Sequence, residues 1–179
     1  MIRKISLLLG GIFLGCFLLI LGIGFFASPY HFSEKSIFLS ASPDVVWSYL
    51  KDVQNLPKHR KEIKKITIIA VSGSEKIRYM QQTNHGVMIL ELKEEKPKNK
   101  LRIDSIQSNL PVHATWRYTL NPQNKGTSLK VSQELHSHSF WTNAILSFIG
   151  TDRMVDQLTK VVQKNLLQYE NTLSDSEKK

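Results

Sequence analysis

From Ile5 to Ala27 the chain runs without a charged side chain and is mostly Leu, Ile, Phe and Gly; beyond it the apolar positions begin to alternate. As a helix rising about 1.5 Å per residue, those 23 positions would reach roughly 34 Å, enough to cross a hydrocarbon core of about 30 Å. Arg3 and Lys4 precede the segment and the next charges are Glu34 and Lys35. That bias predicts a single-pass protein with its N-terminus in the cytoplasm and the rest outside, on the periplasmic face of the inner membrane if the cell is Gram-negative. A cleaved signal peptide shares the basic start, but its apolar run is shorter, and cleavage after Ala27 would put bulky Phe25 where a small residue is needed. Gly11-x-x-x-Gly15 is a spacing that lets two such helices approach, which leaves a weak homodimer through the span as an option.

Residues 1–27 read as the transmembrane anchor and 28–32 as a tether, followed by one domain over residues 33–173 and a polar, disordered tail over 174–179. Ser36-Ile37-Phe38-Leu39 predicts a strand; Ser42 then caps a helix with Pro43 in its first turn, and Val46, Trp47, Tyr49 and Leu50 form its buried face. Asp52 to Lys61 predicts a turn and a second short helix around Leu56-Pro57. A period of two then sets in. Ile66, Ile68 and Ala70 share one face, and after a Ser72-Gly73-Ser74 turn so do Ile77, Tyr79 and Gln81. Asn84-His85-Gly86 turns into a strand from Val87 to Lys93, and Lys96 to Asn99 turns into Leu101 to Ile106. Val112 to Leu120 alternates without a break, Asn121 to Gly126 turns, and Leu129, Val131, Gln133 and Leu135 mark the last strand.

After Ser139 the period becomes helical. Phe140, Ala144, Ile145 and Phe148 make a short apolar segment ending at Gly150, and Thr151 or Asp152 caps a long helix. Val155, Leu158, Val162, Leu166, Tyr169 and Leu173 give that helix one apolar stripe. It is the one element long and amphipathic enough to cover the concave face of a curved antiparallel sheet of six or seven strands, an α+β architecture. Where sheet and helix diverge, a cavity is expected.

Composition narrows the chemistry. With 179 residues, of which 41% are hydrophobic, there is material for one core. Cys16 is the one cysteine and falls in the apolar segment, so the domain has no disulfide, cysteine nucleophile or thiolate metal site. The net charge is +9, and removing Arg3 and Lys4 leaves about +7 for the rest. Lys58, Arg60, Lys61, Lys64 and Lys65 concentrate it, and beside a bilayer such a patch meets anionic head groups. Solvated surface is the alternative. A location outside the membrane takes the charge away from nucleic acid.

Ser40-Ala41-Ser42-Pro43-Asp44-Val45-Val46-Trp47 and the stretch from Asp52 to Pro57 resemble the opening motif of the START-related (SRPBCC) superfamily, which includes polyketide cyclase/dehydrase and lipid-transport proteins. The family often has Trp two residues after that proline, where this chain has His59. The resemblance covers about Ser33 to Leu173 and implies the helix-grip fold, with a pocket mouth near the short helices. Family members bind many apolar molecules and some are enzymes, so ligand and activity do not follow from it.

The six histidines, 31, 59, 85, 113, 136 and 138, show no metal spacing, and no cofactor is implied. His136 and His138 share an outward face, His85 sits in a turn and His113 points out, so surface histidine is the simple account of each. Glu91 is expected outside. No Ser-His-acid set can be proposed from spacing. The inward set Tyr79, Gln81, Trp116, Tyr118 and Gln133, facing Leu158 and Val162, suits a pocket for a hydrophobic molecule or lipid, and suits an ordinary packed core equally. Three readings follow: a non-catalytic, membrane-anchored binding module for a lipid, quinone or polyketide-like ligand; a cyclase/dehydrase-like enzyme; and a pocketless interaction domain.

Overall fold

Ser42 accepts a hydrogen bond from the Val45 amide (3.4 Å) and Pro43 occupies the first turn of the helix it caps, so the first helix of the domain starts where its capping chemistry dictates. This computed structural model describes residues 2–72, 75–109 and 111–176; side chains are described for these except 2–10, 23, 59, 72 and 170–176. The expected turn over 72–74, the Leu173 side chain and residues 177–179 lie outside that description.

The elements are α1 (Ile2–Phe26), β1 (Tyr30–Leu39), α2 (Pro43–Lys51), a 3₁₀ turn (Val53–Asn55), α3 (Leu56–His59), β2 (Ile63–Ser72), β3 (Lys76–Thr83), β4 (Val87–Lys96), β5 (Lys100–Ser108), β6 (Val112–Gln123), β7 (Gly126–Ser137), α4 (Phe140–Ile149) and α5 (Thr151–Ser176). All seven strands form one antiparallel sheet in the order β1-β7-β6-β5-β4-β3-β2. Strands β2 to β7 are a meander, and the short helices carry the chain from β1 on one edge to β2 on the other. Leu92, Leu101, Leu120, Leu129 and Val131 point inward from successive strands and are fully buried, each such side chain stabilising by about 1.5–3 kcal/mol. Helix α5 closes the layer with buried Val155, Val162 and Leu166.

Pairing fixes what lies at each end of the sheet. Tyr30 is opposite His136, His113 opposite His136 from the other side, Met88 opposite Ser108 and Ile63 opposite Thr83. The end that receives α1 therefore also carries α3, the start of β2, the turn at 84–86 and the β7–α4 junction.

Several expectations change. The tether over 28–32 is shorter, because β1 starts at Tyr30 and pairs with β7 from its first residue. Helix α5 continues to Ser176, into the stretch expected to be tail. Strand β6 extends to Gln123, leaving a two-residue turn at 124–125. Pro122 is tolerated because β5 pairs with β6 only as far as Thr119, so no neighbour awaits an N–H there. Ala70 is exposed, since a register shift between Ile68 and Ala70 turns it away from Ile66 and Ile68.

Among the described residues no helix is long and apolar enough to cross a membrane; the side chains of α1 are described from residue 11 onward, apart from residue 23. In α1, Gly11 and Gly15 have open space where a Cβ would stand. Gly24 does not: a Cβ there would lie 2.7 Å from the Phe140 ring, so the close approach that glycine permits is to α4 within the same chain.

Candidate functional site

A cavity of about 400 Å³ lies between the sheet and α5, within the range of small-molecule sites. Tyr79 and Gln81 reach it from β3, Trp116 and Tyr118 from β6, and Gln133 from β7. Leu158 and Val162 of α5 form its roof, so all seven residues singled out in the sequence border one space. The sequence did not single out Tyr49 and Val53 on the α2 side, or Ala114, Leu146 and Met154 toward α4. A larger groove of about 470 Å³ between β1 and α5 is lined by charged side chains, among them the ion-paired Lys35, Asp156 and Lys160.

The polar groups in the cavity are mainly neutral. Burial pushes the Tyr118 phenol up to about 12 and the Tyr79 phenol higher still, with the charge of Arg60 pulling weakly the other way on both. Burial raises Tyr49 too, against a hydrogen bond with Asn165. These phenols are therefore protonated at ordinary pH. Gln81 and Gln133 are buried amides. Among the described residues no Asp or Glu lines the cavity.

Two residues at the mouth depart from the sequence reading. Arg60, expected on the surface with the lysines, lines the cavity, and its Nε donates to Glu62 at 2.7 Å. His85 is exposed in its turn, as expected, yet it also borders the opening beside Thr83. The sequence signal for both was position alone, adjacent to elements that point inward. Lys58, Lys61, Lys64 and Lys65 are exposed, and among the described residues none has an acidic partner. They sit on α3, the turn after it and the start of β2.

Glu91 points outward and is clamped by Lys76 (2.9 Å) and Arg78 (2.7 Å), whose hydrogen bonds hold its carboxyl below the usual range. The pairing of β6 and β7 brings His113 to the outward histidines, with ring centroids 5.0 Å from His138 and 4.4 Å between His136 and His138. Tyr30 stacks on His136 at 4.3 Å. Among the described residues no His, Cys, Asp and Glu group is arranged to hold a metal ion. The interior thus offers shape, apolar contact and neutral hydrogen bonds, with the Arg60 guanidinium as a charged group in its lining.

No family model matches the chain and no curated protein matches it by sequence. Solved structures do match in shape. A START superfamily protein from Mycobacterium smegmatis superposes with a TM-score of 0.61 at 17% identity, covering 77% of this chain and 98% of that one. Norcoclaurine synthase from Thalictrum flavum, in complex with dopamine and hydroxybenzaldehyde, gives 0.60 at 15% identity, over 82% of this chain and 91% of that one. An aromatase/cyclase from a Streptomyces species gives 0.57 at 14% identity, over 83% and 94%. The seven-stranded antiparallel sheet gripping a long C-terminal helix is therefore the helix-grip fold that those START-superfamily and cyclase structures share.

Proposed function

We propose that the chain is a membrane-anchored binding module that holds a hydrophobic ligand, of lipid, quinone or polyketide-like class, in the cavity under α5 and performs no chemistry on it. The observation that carries this reading is the cavity itself: aromatic and aliphatic walls, a few neutral hydrogen-bonding groups with Arg60 beside them at the mouth, and no carboxylate among the described residues. Residues 5–27 supply the anchor, with the N-terminus in the cytoplasm and the domain outside. The lysines around α3, without acidic partners among the described residues, face the head groups, each contributing about 1 kcal/mol beside an anionic surface. The likeness to ligand-holding structures in the same fold is consistent with this and names no ligand for this chain.

Native mass spectrometry of the full chain, released from detergent in the gas phase, is expected to show a co-purified apolar molecule in the wild type and none in Trp116→Arg. Equal occupancy in both would refute the cavity as its seat. A cyclase-like activity is favoured by one observation, the place of His85 at the mouth. If that reading held, His85→Ala would leave the bound molecule in place but change its chemical form. Protease added to intact spheroplasts is expected to digest the domain; full protection would reverse the orientation.

A further inference from the structure

Helix α4 bears no charged residue from Phe140 to Ile149, and it is apolar on two sides. Ala144 and Leu146 are buried, Leu146 against Ala114 and Leu135 in a small core at the end of the cavity. Trp141, Ile145, Phe148 and Ile149 recur on another face at helical spacing and are exposed, Phe148 by 84%. A face of four large apolar side chains in water is costly enough to mark an interaction surface.

The neighbours of α4 indicate what covers it. Its first residues pack on α1, where Phe140 fills the space over Gly24 and the Trp141 ring lies 6.4 Å from that of Phe17. Around that contact α1 exposes Phe13, Leu14, Leu18 and Leu19, apolar on more than one side, as suits surroundings that are apolar all round rather than a single groove. At about 1.5 Å per residue, Gly24 stands about 4–5 Å and Phe17 about 15 Å inward from Ala27. If residues 5–27 span the bilayer, α4 begins inside the slab that α1 defines. The same end of the sheet carries Lys58, Lys61, Lys64 and Lys65 without acidic partners among the described residues, which attracts anionic lipid and repels a second copy presented face to face.

We infer that α4 is a second membrane element, immersed beside α1 in an anionic leaflet with Trp141, Ile145, Phe148 and Ile149 against acyl chains. It forms the partition, one helix thick, between those chains and the α4 end of the cavity. This rests on the anchor reading, and the test separates the two. In a Cys16→Ser background, full chains carrying Phe148→Cys, Phe13→Cys or Lys125→Cys are spin-labelled and reconstituted into phosphatidylcholine vesicles containing phosphatidylglycerol. Collision rates with dissolved oxygen and with a water-soluble nickel chelate are then measured.

The label at 148 is expected to meet nickel about tenfold less often than the label at 125, as at position 13, since water is absent from the bilayer core. It is expected to meet oxygen freely. Nickel access at 148 with shielding at 13 overturns the immersion of α4 and leaves the anchor standing. Nickel access at 13 removes the anchor and this inference with it. Shielding of 148 from both reagents, with dipolar broadening between labels, assigns the face to a second copy and overturns the lipid assignment.

Discussion

At Gly126 the chain has no room for a side chain. Its φ of +152° is one that L residues rarely adopt, and a Cβ there would stand 2.1 Å from the Leu39 carbonyl oxygen, where β1 ends against β7. Gly126→Ala is expected to destabilise by about 1–3 kcal/mol, the cost of one strained residue, read as a lower urea midpoint. An unchanged midpoint would mean that the β1–β7 corner yields. The buried phenols give a second test at this scale. Tyr118 is pushed up to about 12 by burial, whereas an unfolded tyrosine titrates near 10. Because the folded value is the higher, the contribution to stability is complete below about pH 10 and is lost as pH climbs toward about 12. Tyr118→Phe is therefore expected to flatten the fall in stability between about pH 10 and about pH 12; parallel curves would contradict the burial argument. Such residues were partly legible. Alternation placed Tyr79, Gln81, Trp116, Tyr118 and Gln133 inward, because inward and outward positions are fixed by a period of two. Thr159 and Asn165, buried among the apolar stripe of α5, carry no such signal.

Strand β1 is an edge strand, held by β7 on one side and clasped to α5 by side chains. Asp156 of α5 pairs with Lys35 of β1 and with Lys160 one turn further on (2.6 Å). Hydrogen bonds from Lys160 and then Lys35 hold the Asp156 carboxyl at about 2. With the folded value depressed, the clasp is complete above about pH 4 and lost as pH falls through about 2. Asp156→Asn is expected to speed amide exchange along β1 relative to β6 at neutral pH and to abolish the acid dependence of that ratio. Equal exchange in both proteins would show that β7 alone secures the edge. Element boundaries were less legible than element types. The expected turn over Asn121 to Gly126 concealed the end of β6 because proline signals a turn, and only the shorter reach of β5 explains why Pro122 stays in a strand. The bulge near Ile69 was equally hidden, since it leaves the composition of β2 unchanged.

For the molecule as a whole, a guest bound only by the folded state stabilises it. At a hundredfold excess over Kd this amounts to about 2.7 kcal/mol, which for a protein of this size raises Tm by about 5–10 °C. Protein stripped of its co-purified molecule is expected to melt lower by that order and to recover when the extracted molecule is returned; identical melting curves would leave the cavity without an occupant. The helix-grip architecture was legible because the order of elements leaves one helix to cover one sheet. The seating of α4 on α1 was not, since two apolar segments far apart in sequence show no pattern that says they meet. The brevity of the join between α1 and β1 has a further consequence. Three residues, 27–29, separate the helix from the first paired strand, and fully extended they reach only about 10 Å. With so little slack, a domain anchored and loaded as proposed could not swing out to meet a distant acceptor, and a guest would have to be exchanged on the spot, with the bilayer surface or with a visitor that comes alongside.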